Sequence, residues 1–139
     1  MAGASSVFAY VLACVDPKIR HELTRHFDNW FGGRNKYFWV PELGGVKDLV
    51  SPKNDSYRDH IVEKIQGARS VHPFGLIILI NHSNCGAYRL AGVSFDEPQK
   101  EEAFHSEELN QAKGVVKKKF PNLAVEVHYF LKDEQRLAW

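Results

Sequence analysis

Each thing this sequence has little of excludes a class. Two cysteines in 139 residues cannot build a disulfide framework. The longest apolar stretches, Val7 to Val15 and Phe74 to Ile80, fall well short of the about 20 residues that cross a bilayer. No charge sign dominates, since 18 Lys+Arg face 17 Asp+Glu, and no global positive field gathers nucleic acid. Nucleic acid and membrane therefore drop out as expected partners. The first apolar run has no basic leader before it and Asp16 directly after it, a poor signal peptide. The resulting expectation is a cytoplasmic protein with reduced thiols. Internal repeats and low-complexity segments are also missing.

What remains is an ordinary globular composition, 44% hydrophobic and 25% charged. A chain of this size hides roughly 68–70% of its unfolded surface, enough for one core. We read residues 1–139 as a single domain.

The pattern alternates strand and helix. VFAYVLACV (7–15) is apolar on both alternating faces, as in a central strand covered on both sides. Ile19, Leu23, Phe27 and Trp30 share one helical face over about Lys18 to Trp30, and Gly32-Gly33 stops that helix. KYFWVP (36–41) is a short aromatic strand whose proline suits an edge. Ser56 and Asp59 resemble a capping box for a helix carrying Tyr57, Ile61, Ile65 and Ala68. FGLIILI (74–80) is a buried strand. A last helix from near Pro98 buries Leu109, Ala112, Val116 and Phe120. Lys117 to Lys119 complement its dipole, and Pro121 ends it. Leu123 to Leu131 is a final strand. The fold class is α/β, a doubly wound, mostly parallel sheet of four to five strands flanked by helices.

Ligands in such sheets bind beyond the carboxyl ends of the strands, where strand order reverses. Both cysteines lie at such places: Cys14-Val15-Asp16 after the first strand, and NHSNCG (81–86) after the buried one. His82 and Cys85, three apart in a tight turn, can converge on one ion. If the two strands are neighbours, Cys14, His82 and Cys85 form a two-thiolate, one-imidazole set. That set suits Zn2+ and leaves a fourth position open, with Asp16 beside it. The competing reading is that Cys14 is plain core.

Cys14-Val15-Asp16 followed by His82-Ser83-Asn84-Cys85-Gly86 resembles the β-class carbonic anhydrases, whose signature is CxDxR and then HxxCG after a hydrophobic strand. The resemblance spans about Val7 to Leu137, including PELGG (41–45) and LIILINHSNCGAY (76–88). It implies a zinc-dependent lyase that reversibly hydrates carbon dioxide to bicarbonate through a zinc-bound hydroxide. Cys14, His82 and Cys85 would be the zinc ligands, and Asp16 the catalytic aspartate. It also implies a small-molecule substrate. A compact sheet layer of this kind leaves apolar edge surface to cover, so a homodimer is expected, with the aromatic segment Tyr37 to Trp39 near its interface. His21, His26, His60, His72, His105 and His128 are open candidates for a proton shuttle.

Two departures stand out. Lys18 occupies the family's arginine position, and a lysine lacks the planar fork that clamps a carboxylate at two points. Lys18 is thus a candidate catalytic-site residue, and the expectation is that Asp16, weakly held, turns onto the zinc. The first strand also comes within the first residues of the sequence, so the expectation is that the helical arm of many members is lacking. Alternatives on the same scaffold are hydrolysis of carbon disulfide or carbonyl sulfide, and a non-catalytic zinc-binding homologue.

Overall fold

A computed structural model describes residues 6–139. The elements run β1 (Ala9–Cys14), α1 (Pro17–Phe31), β2 (Tyr37–Glu42), α2 (Lys47–Val50), α3 (Asp55–Val71), β3 (Leu76–His82), α4 (Gly86–Leu90), α5 (Pro98–Lys119), β4 (Ala124–Leu131) and β5 (Arg136–Leu137). They form one sheet in the order β2-β1-β3-β4-β5. The first four strands are parallel, and the two-residue β5 returns antiparallel on β4. The expected doubly wound, mostly parallel sheet is present, with five strands.

Strand β1 shows why the sequence folds this way. All six of its residues are buried. Ala9, Val11 and Ala13 join Ile19, Leu23 and Phe27 of α1 on one face. Tyr10 and Leu12 join Ile61, Ile65, Leu109 and Val116 of α3 and α5 on the other. Period-two alternation thus feeds two cores at once. Ile19, Leu23 and Phe27 are fully buried, worth together about 5–9 kcal/mol of hydrophobic burial. Trp30, expected on the same buried face, is 48% exposed. It stacks on Phe31 and Phe27 at the rim instead.

Helix α1 ends at Gly32, whose φ of +87° is the left-handed cap that glycine adopts without penalty. The cap of α3 differs from the capping box read in the sequence. Asn54 is the N-cap, and its side chain accepts from the Ser56 N–H. An asparagine placed one residue before the helix satisfies an orphan amide directly, leaving Ser56 inside the first turn.

The strand order reverses between β1 and β3. Their carboxyl ends meet where the turn after β2 comes to rest. In that turn Gly45 has φ +61°, and a Cβ on it would lie 2.5 Å from Asn81 Oδ1 and 2.7 Å from the Ile80 carbonyl. Only glycine lets this turn close against the end of β3.

Candidate metal centre

Three of the expected residues converge at that reversal. Cys14 ends β1, His82 ends β3, and Cys85 immediately precedes α4. The donor atoms of Cys14, His82 and Cys85 lie within 4.8 Å of one another, all buried. The two sulfurs are 4.0 Å apart.

The histidine identifies its own ligating atom. His82 Nδ1 lies 2.6 Å from the Ser83 carbonyl, which can only accept, so Nδ1 carries the proton. Nε2 then presents a lone pair, and it is buried with no hydrogen-bond partner. An orphaned imidazole nitrogen facing two sulfurs is the donor set that a zinc-type cation satisfies.

The thiols fit as well. The hydrogen bond from Cys85 is the largest influence holding the Cys14 thiol well below its ordinary value, with the Asp16 N–H adding to it against burial. Cys85 is pushed up, first by that same bond and then by burial. The backbone N–H groups of Tyr88 and Ala87 work the other way and favour its thiolate. A zinc-type cation held between the two sulfurs would engage both as thiolates.

Asp16 sits beside the triad, with Oδ2 4.0 Å from His82 Nε2. Its Oδ1 accepts the Lys18 backbone N–H at 2.9 Å, which makes Asp16 the N-cap of α1. Its Oδ2 is paired with the Lys132 ammonium at 2.7 Å. Burial pushes the Asp16 carboxyl up, but the hydrogen bonds from Lys132 and Lys18 outweigh it and hold the group below its usual range. The expectation of a loosely held Asp16 is therefore not met: both oxygens are engaged. Lys18 itself is exposed and reaches Asp16 through its backbone rather than its ammonium. The cation on the carboxylate comes from the end of β4, a residue that motif reading did not single out.

A cleft of about 430 Å³ opens over Cys14 and Asp16, lined also by Val15, Leu43, Gly86, Ala87, Arg89 and Leu90. Behind the ligand turn lies a buried polar network. Asn81 Oδ1 accepts the Val46 N–H at 3.0 Å, which fixes the amide orientation. Asn81 Nδ2 then donates to Tyr88 Oη (3.2 Å) and to His105 Nδ1 (3.0 Å). Tyr88 in turn donates to Glu108 at 2.9 Å. Burial pushes His105 down to about 4. Such a residue is a neutral structural member of the core rather than a proton shuttle to solvent.

No family model matches the chain. Its sequence is 30% identical over 117 residues to an uncharacterized protein of Rickettsia bellii, covering 83% of this chain and 71% of that one. A second uncharacterized protein, RC0076 of Rickettsia conorii, is 27% identical, covering 83% of this chain and 62% of that protein. The chain belongs to the family of the Rickettsia bellii protein. Among solved structures it resembles a tetrameric β-carbonic anhydrase of Sordaria macrospora, with TM-score 0.54 and 15% identity, covering 98% of this chain and 81% of that one. It also resembles a β-carbonic anhydrase of Aspergillus fumigatus, with TM-score 0.53 and 13% identity, covering 99% and 76%. The fold is that of the β-carbonic anhydrases, and the chain carries a Cys2His triad able to hold a metal ion on it. Among the described residues no helix is long and apolar enough to cross a membrane.

Proposed function

We propose that this protein is a zinc enzyme that reversibly hydrates carbon dioxide to bicarbonate. The observation that carries the reading is the unpartnered His82 Nε2 facing the sulfurs of Cys14 and Cys85, with the Asp16 carboxylate beside it. Cys14, His82 and Cys85 would hold the metal. Zinc there would supply a Lewis-acid centre able to make water nucleophilic at neutral pH.

The chain's own groups supply the rest. Asp16 accepts a hydrogen bond from the attacking water and aims its lone pair at the substrate carbon. Val15, Leu43 and Leu90 wall the mouth with apolar surface, which suits a small neutral molecule better than a hydrated ion. Arg89 stands at the same mouth, where the bicarbonate charge appears. The released proton passes to buffer, because Asp16 is held too acidic to keep it.

A homodimer fits the same surface. Among the described residues no strand pairs with the outer edge of β2, and Val15, Leu43 and Leu90 are exposed around the cleft. A second copy covering that edge would shield both.

The test is stopped-flow hydration of carbon dioxide by zinc-loaded protein, with metal content measured alongside. We expect one zinc per chain and turnover that the metal-free protein lacks. Cys14→Ser and Cys85→Ser should each lose most bound zinc, because a hydroxyl is a poor replacement for a thiolate. Full occupancy in both variants would remove the metal assignment. Turnover of carbon disulfide or carbonyl sulfide without carbon dioxide hydration would reassign the substrate. Zinc binding with no turnover of any of the three would mark a non-catalytic homologue.

A further inference from the structure

We propose that Lys132 is the positioning residue for Asp16, holding its carboxylate off the metal so that the open coordination position stays available to water. The inference rests on the hydration reading and extends it to a residue far from either motif.

Lys132 joins the two ligand-bearing segments. Its backbone N–H donates to Ser83 Oγ at 2.8 Å, and its ammonium lies 3.4 Å from the Asn84 carbonyl. Ser83 and Asn84 are the two residues between the ligands His82 and Cys85. From this anchorage the ammonium reaches Asp16 Oδ2, two residues beyond the third ligand, Cys14. Both side chains are only 17% exposed, so the pair is shielded from the solvent screening that weakens surface ion pairs.

The lysine is itself held. The Gln135 amide donates to the Lys132 carbonyl at 2.7 Å and to the Lys18 carbonyl at 2.9 Å. The turn after β4 is thereby tied to the first turn of α1, the helix that Asp16 caps. With Oδ1 on the Lys18 N–H and Oδ2 on Lys132, the carboxylate has no free oxygen to swing. Remove Lys132, and the oxygen now 4.0 Å from His82 Nε2 is the one released toward the metal position. An ammonium makes this contact as a point charge, so the carboxylate keeps lone pairs with which to accept from water.

The test compares the parent, Lys132→Met, Lys132→Arg and the double variant Lys132→Met/Asp16→Ala, each loaded with cobalt(II) in place of zinc. Thiocyanate is titrated against the ligand-field absorption and reports whether the fourth position is open. Lys132→Met keeps one cobalt per chain but binds thiocyanate more weakly by on the order of ten- to a hundredfold, the range that one charge-assisted hydrogen bond controls. Carbon dioxide hydration near neutral pH falls with it. Lys132→Arg recovers thiocyanate binding. The double variant also recovers it, because the competing carboxylate is gone, and a merely structural role for Lys132 predicts no such recovery. Thiocyanate affinity in Lys132→Met within twofold of the parent would overturn the proposal, as would a double variant no better than Lys132→Met. A parent that shows the full thiocyanate pattern yet hydrates no carbon dioxide would overturn the hydration reading and leave the role of Lys132 standing.

Discussion

Asn81→Leu removes the hinge of the buried network behind the ligand turn while nearly preserving side-chain shape. Asn81 is 2% exposed and makes three hydrogen bonds. Tyr88 survives the change, since it still donates to Glu108. Two groups do not. The Val46 N–H loses its acceptor in a fully buried residue, and His105 Nδ1 loses its donor. An orphaned buried polar group costs about 1–3 kcal/mol, so the pair costs about 2–6 kcal/mol. Two methyl groups in place of the amide return about 1.5 kcal/mol of apolar transfer. The net loss is about 0.5–4.5 kcal/mol, up to a large share of the about 5–15 kcal/mol that keeps a domain folded. Urea unfolding of metal-free protein measures it without the stabilisation that a bound ion adds. A loss near the middle of that range moves the midpoint by roughly 1 M at the m-values usual for small domains. The double variant Asn81→Leu/His105→Phe should be more stable than the sum of the single losses, because it no longer strands Nδ1. A loss below about 0.5 kcal/mol, or strict additivity in the double variant, would refute the network as drawn.

Two further outcomes are expected. His105, pushed down to about 4 by burial, is neutral in the folded protein, whereas the unfolded chain protonates it near pH 6.5. Its contribution is therefore complete above about pH 6.5 and lost as pH falls toward 4, about 2 kcal/mol by pH 5. The difference between parent and His105→Phe in urea unfolding across that window should show this slope, and parallel curves would reject it. For assembly, light scattering at micromolar concentration should report a dimer. Leu43→Asp, which puts a charge on a 60% exposed leucine at the cleft mouth, should shift it toward monomer. A monomeric parent would contradict the proposed pairing.

The parts of the molecule that were legible in the sequence are those where a local pattern and a buried contact coincide. Period two in β1 and the helical stripe of α1 each encode a face that the fold buries, so their residues identify the elements. The Cys2His cluster able to hold a metal was legible because strand ends carry chemistry in this architecture and the chain has cysteine in only two places, both at such ends. Where exposure decides, the pattern misleads. Trp30 fits the stripe of α1 but lies near that helix's end, where it stays 48% exposed while stacking on Phe27 and Phe31. The cap of α3 was misplaced by two residues because Asn54, Asp55 and Ser56 are all competent cappers, and only backbone dihedrals separate them. The single turn α4 and the two residues of β5 are too short to carry a period.

Lys132 was hidden for a different reason. Lysine after a strand is ordinary surface chemistry, and 116 positions separate it from Asp16 in the chain. Yet the rule that drew attention to Cys14 and to the NHSNCG turn applies equally to the end of β4. That strand pairs with β3 up to His82↔Phe130, so the residue two positions on must stand beside the ligand turn. Read this way, the lysine at position 18 and the lysine at 132 form one question: which cation the folded chain delivers to the carboxylate. The motif position lies on the exposed first turn of α1, where an ammonium has water as its alternative partner. The β4 position is shielded and anchored on the ligand turn itself, so its ammonium gives up less by staying. A departure from a linear motif therefore does not by itself predict a lost function. The geometry that the motif residue would have supplied can be supplied by any strand that ends at the same site.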